Sequence, residues 1–365
     1  MKYYIIAGEM SGDIHGGNLM AALREKDKEA SFRFWGGDSM SEIGGKPVQH
    51  VKNLAFMGFW EVIINLRTIV KLLRSCKQDI EIYKPDVIIL IDYPGFNLRM
   101  AQWAKKKGFK VVYYIVPQVW AWHKSRLKLL RKYTDMLLAI LPFEESFYRD
   151  HGCIVQFVGH PLLDEIQKPL KGRSEISDFD VALLPGSRKQ EVEHMLPVFL
   201  KTAELLGLSC VIAATPNLPH VLYEKIIRKA KLKKASVHIY YNAMYPILQK
   251  SKFAFITSGT ATLEAALWNV PQIVTYKSSY LSYMIAKNLI SLKFISLVNL
   301  IMDKRLVPEL IQNNLTPEVL AETYREMLPE TQQIINGYAE LARRLGVSGA
   351  SGRAADLILA MSRRD

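Results

Sequence analysis

Four short segments of this 365-residue chain combine residue types whose spacing suits chemistry. The first reads Gly8-Glu9-Met10-Ser11-Gly12-Asp13-Ile14-His15-Gly16-Gly17. Its glycines let the backbone approach a ligand, and a helix beginning beyond them, near Asn18–Arg24, would favour an anion at its N-terminus. Ser11, Gly12, Asp13 and His15 are therefore candidates for an acceptor or phosphate loop, with an ordinary tight turn as the plainer reading. The spacing is not G-x-G-x-x-G, so a nicotinamide dinucleotide is not indicated. The second segment is Asp92-Tyr93-Pro94-Gly95-Phe96-Asn97, directly after the apolar run Val87–Ile91. A carboxylate at a strand's carboxyl end is placed to accept a proton; the plainer reading is a turn or cap aspartate before Pro94. The third is Leu184-Pro185-Gly186-Ser187-Arg188. Backbone N–H groups at Gly186 and Ser187, with the forked guanidinium of Arg188, suit a pyrophosphate. The fourth is Thr257-Ser258-Gly259-Thr260-Ala261-Thr262-Leu263-Glu264. Ser258, Gly259 and Thr260 suit phosphate and Glu264 suits ribose hydroxyls, against simple N-capping and a helix-dipole interaction.

Two further segments could contact substrate or lipid. Val119-Trp120-Ala121-Trp122-His123 suits a sugar or acyl wall, or core packing, and His123 is given no chemical role. Between Phe56 and Lys77, Arg67, Lys71, Arg74 and Lys77 share one helical face, with Leu66, Ile69, Val70, Leu72 and Leu73 on an apolar side. Phe56, Phe59, Trp60 and Ile63 lie at its start. Aromatics leading into a helix that is greasy on one side and basic on another describe an interfacial membrane contact, or else an amphipathic helix packed on a sheet. Phe56, Phe59, Trp60, Ile63, Arg67 and Lys71 are the candidate membrane contacts.

Strands must deliver these segments. Continuous apolar runs predict them at Lys2–Ala7, Phe32–Trp35, Val87–Asp92, Val111–Val116, Met136–Leu141 and Val155–Val158. A second series covers Asp180–Leu184, Cys210–Ala214, Val237–Tyr240, Phe253–Thr257 and Gln272–Thr275. Runs apolar on both faces belong to buried parallel sheets, and the helical stretches between them imply βαβ units. The expected fold is α/β, with two Rossmann-like, doubly wound parallel-sheet domains facing a central cleft. They are expected at about 1–168 and 175–345 on either side of the polar stretch Gln167–Asp178, with a final helix at about 350–365 packing back on the first. Ligands of such sheets sit at strand carboxyl ends, where all four segments fall.

Composition narrows the partners. At 49% hydrophobic and 23% charged residues the chain is neither disordered nor an integral membrane protein. Tyr3–Ala7 is too short for the core of a secretory signal. Three scattered cysteines suggest neither disulfides nor zinc, and a reducing cytoplasm is the default. The net charge of +13, concentrated in the acid-free stretch Arg99–Thr134, suits phosphates or an anionic lipid surface. Nucleic-acid motifs are absent, so no nucleic-acid partner is expected.

Taken in order, the motifs resemble those of the lipid-A-disaccharide synthase family. Gly8-Glu9-x-Ser11-Gly12-Asp13, Met57-Gly58-x-x-Glu61-Val62, Asp92-x-Pro94-x-Phe96-Asn97 and Val119-Trp120-Ala121-Trp122 are similar to its sequence of signatures. Leu141-Pro142-Phe143-Glu144, Gly159-His160-Pro161, Leu183–Arg188, Ser258–Glu264 and Ser296-Leu297-x-Asn299-Leu300 continue the series. The resemblance spans roughly Tyr3 to Pro308. It implies a GT-B fold, an inverting, metal- and cofactor-independent transfer, and a role in lipid A and lipopolysaccharide biosynthesis of a Gram-negative outer membrane. The implied substrates are UDP-2,3-diacylglucosamine and 2,3-diacylglucosamine 1-phosphate (lipid X). The implied place of work is the cytoplasmic side of the inner membrane, peripherally bound, with a homodimer as one option. Asp92 and Glu9 are the implied catalytic positions, with Asp92 as base; Arg188, helped by Asn299, would stabilise departing UDP, and Glu264 would bind ribose. Glu9 and Asp13 stay open as alternative bases. The chain departs from the pattern at Gly95, where relatives often carry an acid, and at Met10, where alanine is common. Another UDP-sugar enzyme of the same fold, such as a UDP-N-acetylglucosamine 2-epimerase, is the alternative.

Overall fold

The structure, a computed structural model, describes residues 1–53, 66–120, 126–167, 176–277 and 293–362. The chain divides into two compact units, Met1–Gln167 with Leu345–Asp365, and Lys168–Arg344.

In the first unit seven parallel strands form one sheet: β1 Lys2–Ala7, β2 Ser31–Gly36, β3 Gln49–His50, β4 Val87–Ile91, β5 Lys110–Tyr114, β6 Met136–Ala139 and β7 Val155–Phe157. Their spatial order is β3-β2-β1-β4-β5-β6-β7. Every residue of β4 is fully buried, because helices cover both faces and leave no side for a polar alternation. On one of those faces Tyr4, Ile6, Ile88, Leu90, Val111 and Tyr113 pack with Cys76 and Ile80 of helix Leu66–Tyr83 and with Phe96 and Met100 of helix Pro94–Lys106. The last helix, Ala350–Ser362, lies in this unit against helix Met10–Lys26, with Lys26 Nζ 2.6 Å from Asp356 Oδ1.

The second unit holds β8 Phe179–Leu184, β9 Ser209–Ala214, β10 Ser236–Tyr241, β11 Ser251–Thr257, β12 Gln272–Tyr276 and β13 Glu309–Ile311. They are again all parallel, in the order β10-β9-β8-β11-β12-β13. Every strand expected from an apolar run is present within a residue or two. The two extra strands, β3 and β13, are edge strands of two and three residues, too short to show a periodic pattern.

Each sheet reverses its strand order once, between β1 and β4 in the first unit and between β8 and β11 in the second. In doubly wound sheets the loops after two such strands diverge to opposite faces and leave a crevice for ligand. Glu9 follows β1 and Asp92 follows β4. The Gly186–Arg188 turn follows β8 and the Ser258–Glu264 segment follows β11.

Candidate active site

The first departure from expectation lies after β1. Helix Met10–Lys26 begins at Met10 instead of near Asn18, so Ser11, Gly12, Asp13 and His15 lie in its first two turns. Packing explains Gly16 and Gly17: a Cβ on Gly16 would lie 2.6 Å from the Met40 sulfur, and one on Gly17 2.9 Å from the Ser39 carbonyl oxygen, both in the adjoining helix Asp38–Gly44. Asp13 is only 1% exposed, and its carboxylate accepts the backbone N–H groups of Ser39 at 2.9 Å and of Gly37 and Met40. It caps that second helix, a structural duty. His15 is buried, and its neighbour His160 is held neutral, its pKa pushed by burial and then by His15 down to about 3. Ser11 stays exposed at the helix start.

Asp92 is held differently. It and Tyr93 both adopt left-handed backbone, with φ of 45° and 50°, a conformation that costs a residue with a Cβ about 1–2 kcal/mol. Two buried side chains stabilise it. The Asp92 carbonyl accepts the Tyr113 hydroxyl at 2.6 Å and the Asn97 amide at 2.8 Å, and the same amide donates to the Ile91 carbonyl at 3.1 Å. Gly8 is needed in the facing loop, since a Cβ there would stand 2.3 Å from the Tyr93 ring. Burial, and next the charge of Glu9, raise the Asp92 carboxyl to about 7, opposed by a hydrogen bond from the Tyr93 N–H. Glu9 is exposed at the N-cap of helix Met10–Lys26, one strand away.

Sequence reasoning assigned no role to Glu144, which is 1% exposed and near enough to Asp92 to feel its charge. Burial raises its carboxyl to about 7, with Asp92 adding to the rise against three hydrogen-bond donors. Its place in Leu141–Glu144 was visible; the isolation of its charge was not.

In the second unit the Gly186 turn, at φ 106°, leads into helix Lys189–Leu206. The N–H groups of Ser187 and Arg188 are already bonded, at 3.0 and 3.1 Å, to the Glu191 carboxylate. They are therefore not open to a phosphate unless Glu191 withdraws. The Arg188 guanidinium is exposed and 3.7 Å from Glu191. After β11, Ser258 donates its hydroxyl to the Ile295 carbonyl at 2.9 Å, Gly259 and Thr260 are exposed, and the Thr262 hydroxyl bonds the Gly259 carbonyl. Glu264 is 8% exposed and accepts the Tyr245 hydroxyl at 2.9 Å.

Asn299 is held from within. Its side chain is fully buried; the amide donates to Val307 O and Glu309, and the oxygen accepts Leu306 N and Val307 N at 2.8 and 3.0 Å. Every hydrogen-bonding position of the amide is filled from within, so it staples the approach to β13. An open cleft of about 500 Å³ lies beside it, lined by Lys293, Phe294, Arg305, Glu309, Asn313 and Asn314 among others.

Residues 3–350 match the family described as Lipid-A-disaccharide synthetase. The chain belongs to the lipid-A-disaccharide synthase family. A lipid-A-disaccharide synthase of Syntrophus aciditrophicus is 40% identical over 99% of this chain and 97% of its own length. One of Myxococcus xanthus is 34% identical over 98% and 97%. Membership makes the chain a glycosyltransferase. Among solved structures, the UDP-GlcNAc 2-epimerase of Neisseria meningitidis bound to UDP-GlcNAc superposes with a TM-score of 0.67 at 13% identity, covering 99% of this chain and all of that one. The glycotransferase of kitacinnamycin gives 0.65 at 14%, covering 98% of each. Such identities establish the GT-B class of fold and nothing about reaction, so the epimerase alternative reflects shared architecture alone.

Of the candidate membrane contacts, Phe56, Phe59, Trp60 and Ile63 lie outside the described residues. Arg67 and Lys71 are exposed on helix Leu66–Tyr83, whose Ile69, Cys76 and Ile80 face the core. Among the described residues no helix is long and apolar enough to cross a membrane.

Proposed function

We propose that this chain transfers the 2,3-diacylglucosamine unit of UDP-2,3-diacylglucosamine to the 6-hydroxyl of lipid X. The Asp92 carboxylate removes the hydroxyl proton as the oxygen attacks the anomeric carbon from the face opposite UDP. The bond from that carbon to the UDP oxygen breaks, its electron pair leaves with UDP, and the product is the β(1→6)-linked disaccharide 1-phosphate. Attack from the opposite face inverts the anomeric centre. The exposed Arg188 guanidinium stabilises the charge developing on UDP, and Glu264 receives ribose hydroxyls. Glu9 keeps the Asp92 carboxyl basic through its negative charge. The first unit thus takes the acceptor and the second the donor.

The observation that carries this reading is Asp92 at the β1/β4 reversal with its carboxyl raised to about 7. A general base whose pKa lies near working pH combines an ionised fraction with proton affinity. Because the guanidinium serves the leaving group, the reaction proceeds without a divalent cation, and chelation with EDTA leaves the rate unchanged. The basic face carrying Arg67 and Lys71, together with the apolar residues of the preceding sequence Phe56–Ile63, holds the enzyme on the anionic inner face of the cytoplasmic membrane, where both acylated substrates reside. Incubating purified protein with both substrates and resolving products by mass spectrometry tests the proposal. Equimolar disaccharide 1-phosphate and UDP support it; UDP released without disaccharide, or an epimerised UDP-sugar, overturns it.

A further inference from the structure

The chain leaving β5 rises through Pro117 and Val119 to Trp120, on the strand next to Asp92. Its fastenings play no part in the proton transfer described above. The Tyr148 hydroxyl donates to the Pro117 carbonyl, and the Trp120 indole N–H donates to Glu144 Oε1 at 3.1 Å. Glu144 Oε2 accepts the backbone N–H groups of Leu141 at 3.0 Å and Ile140 at 3.3 Å. The ring of Trp120 meets Phe143 edge-on, with centroids 5.0 Å apart.

Capping helix Pro142–Asp150 needs one acceptor oxygen, which a glutamine would supply without burying a charge. Two acceptor oxygens require a carboxyl group, and the second is turned to the indole. Trp120, partly exposed, is the recipient of that expense. A fixed indole offers a flat, electron-rich face to the C–H bonds of a pyranose ring. Asp92 is near enough for its charge to act on Glu144.

We infer that Glu144 is a positioning residue that holds Trp120 as the stacking face for the acceptor's glucosamine ring beside Asp92. The inference rests on the transferase reading and adds the part of the site that orients the 6-hydroxyl toward its base.

Steady-state kinetics with the two substrates varied separately test it in Glu144→Gln, Trp120→Phe and the double variant. Trp120→Phe keeps a smaller aromatic face and removes the N–H. Glu144→Gln leaves one acceptor oxygen for three donors. Each single change should raise the acceptor KM roughly tenfold while the donor KM moves less than about twofold. The double variant should be no worse than the poorer single, because both delete one bond. Equal rises in both KM values, an unchanged acceptor KM, or additive losses would overturn the assignment. If Glu144→Gln fails to fold, Trp120→Phe decides alone, since it leaves the helix cap intact. A wild-type enzyme that makes no disaccharide overturns the transferase reading instead. The stacking face is then read from fluorescence quenching by glucosamine 1-phosphate, present in the wild type and reduced in Trp120→Phe if Trp120 binds the sugar, and equal in both if it does not.

Discussion

Asp92 and Asn299 illustrate how burial assigns opposite duties to polar residues. The folded state holds a proton on Asp92 up to about pH 7, whereas an unfolded carboxyl releases it near its ordinary value of 3.8. As pH rises through that interval the contribution to stability is lost. Asp92→Asn should therefore lower transfer roughly 10²–10⁴-fold while leaving UDP affinity unchanged. The same variant should melt above the wild type at pH 8, an advantage that shrinks toward pH 5, because asparagine tolerates left-handed backbone and carries no charge. Calorimetry across that range checks the sign. Asn299→Ala should do the reverse, costing about 3 kcal/mol by stranding the Leu306 and Val307 N–H groups, with UDP affinity intact by titration calorimetry. From the sequence, both residues were polar positions within family motifs. The difference between them is the count of internal partners, which only packing reveals; the same holds for Asp13, whose three donors come from a helix more than twenty residues away.

At the scale of elements, strands were readable because burial on both faces leaves an unbroken apolar run. The start of helix Met10–Lys26 was not, because Gly12, Gly16 and Gly17 are poor helix formers and read as a loop. Gly16 and Gly17 are present because helix Asp38–Gly44 sits too close for side chains. Gly17→Ala should therefore destabilise by about 1–2 kcal/mol despite its better helix propensity, since a backbone carbonyl must move; urea denaturation measures it. The loop after β4 makes a similar point. Tyr113 and Asn97 hold the carbonyl of Asp92, so Tyr113→Phe should lower kcat more than it raises either KM, through misplacement of the carboxylate. A matching fall in melting temperature with unchanged kcat would reduce Tyr113 to a core residue.

For the molecule as a whole, the +13 charge is less free than its total suggests. Within the acid-free stretch Arg99–Thr134, Lys105 pairs with Asp135 and Lys107 with Glu81 at 3.0 Å. The exposed Arg67 and Lys71 make the better case for lipid attraction. Replacing Phe59, Trp60 and Ile63 with serine should release protein from anionic liposomes in a flotation assay; unchanged flotation would move the contact elsewhere. The two parallel sheets follow from the alternation of buried strands with helices, and so does the placement of all four chemistry-bearing segments at strand ends; the strand order, which the alternation leaves open, comes from the structure. The measurement that reaches furthest is the pH dependence of kcat/KM for the acceptor, in the wild type and in Asp92→Asn. A base that must be ionised predicts an acid limb in the wild type, with activity falling as pH drops below about 7, and a low, flat profile in the variant. Full turnover by Asp92→Asn with the same acid limb would contradict the assignment of proton removal to this carboxylate.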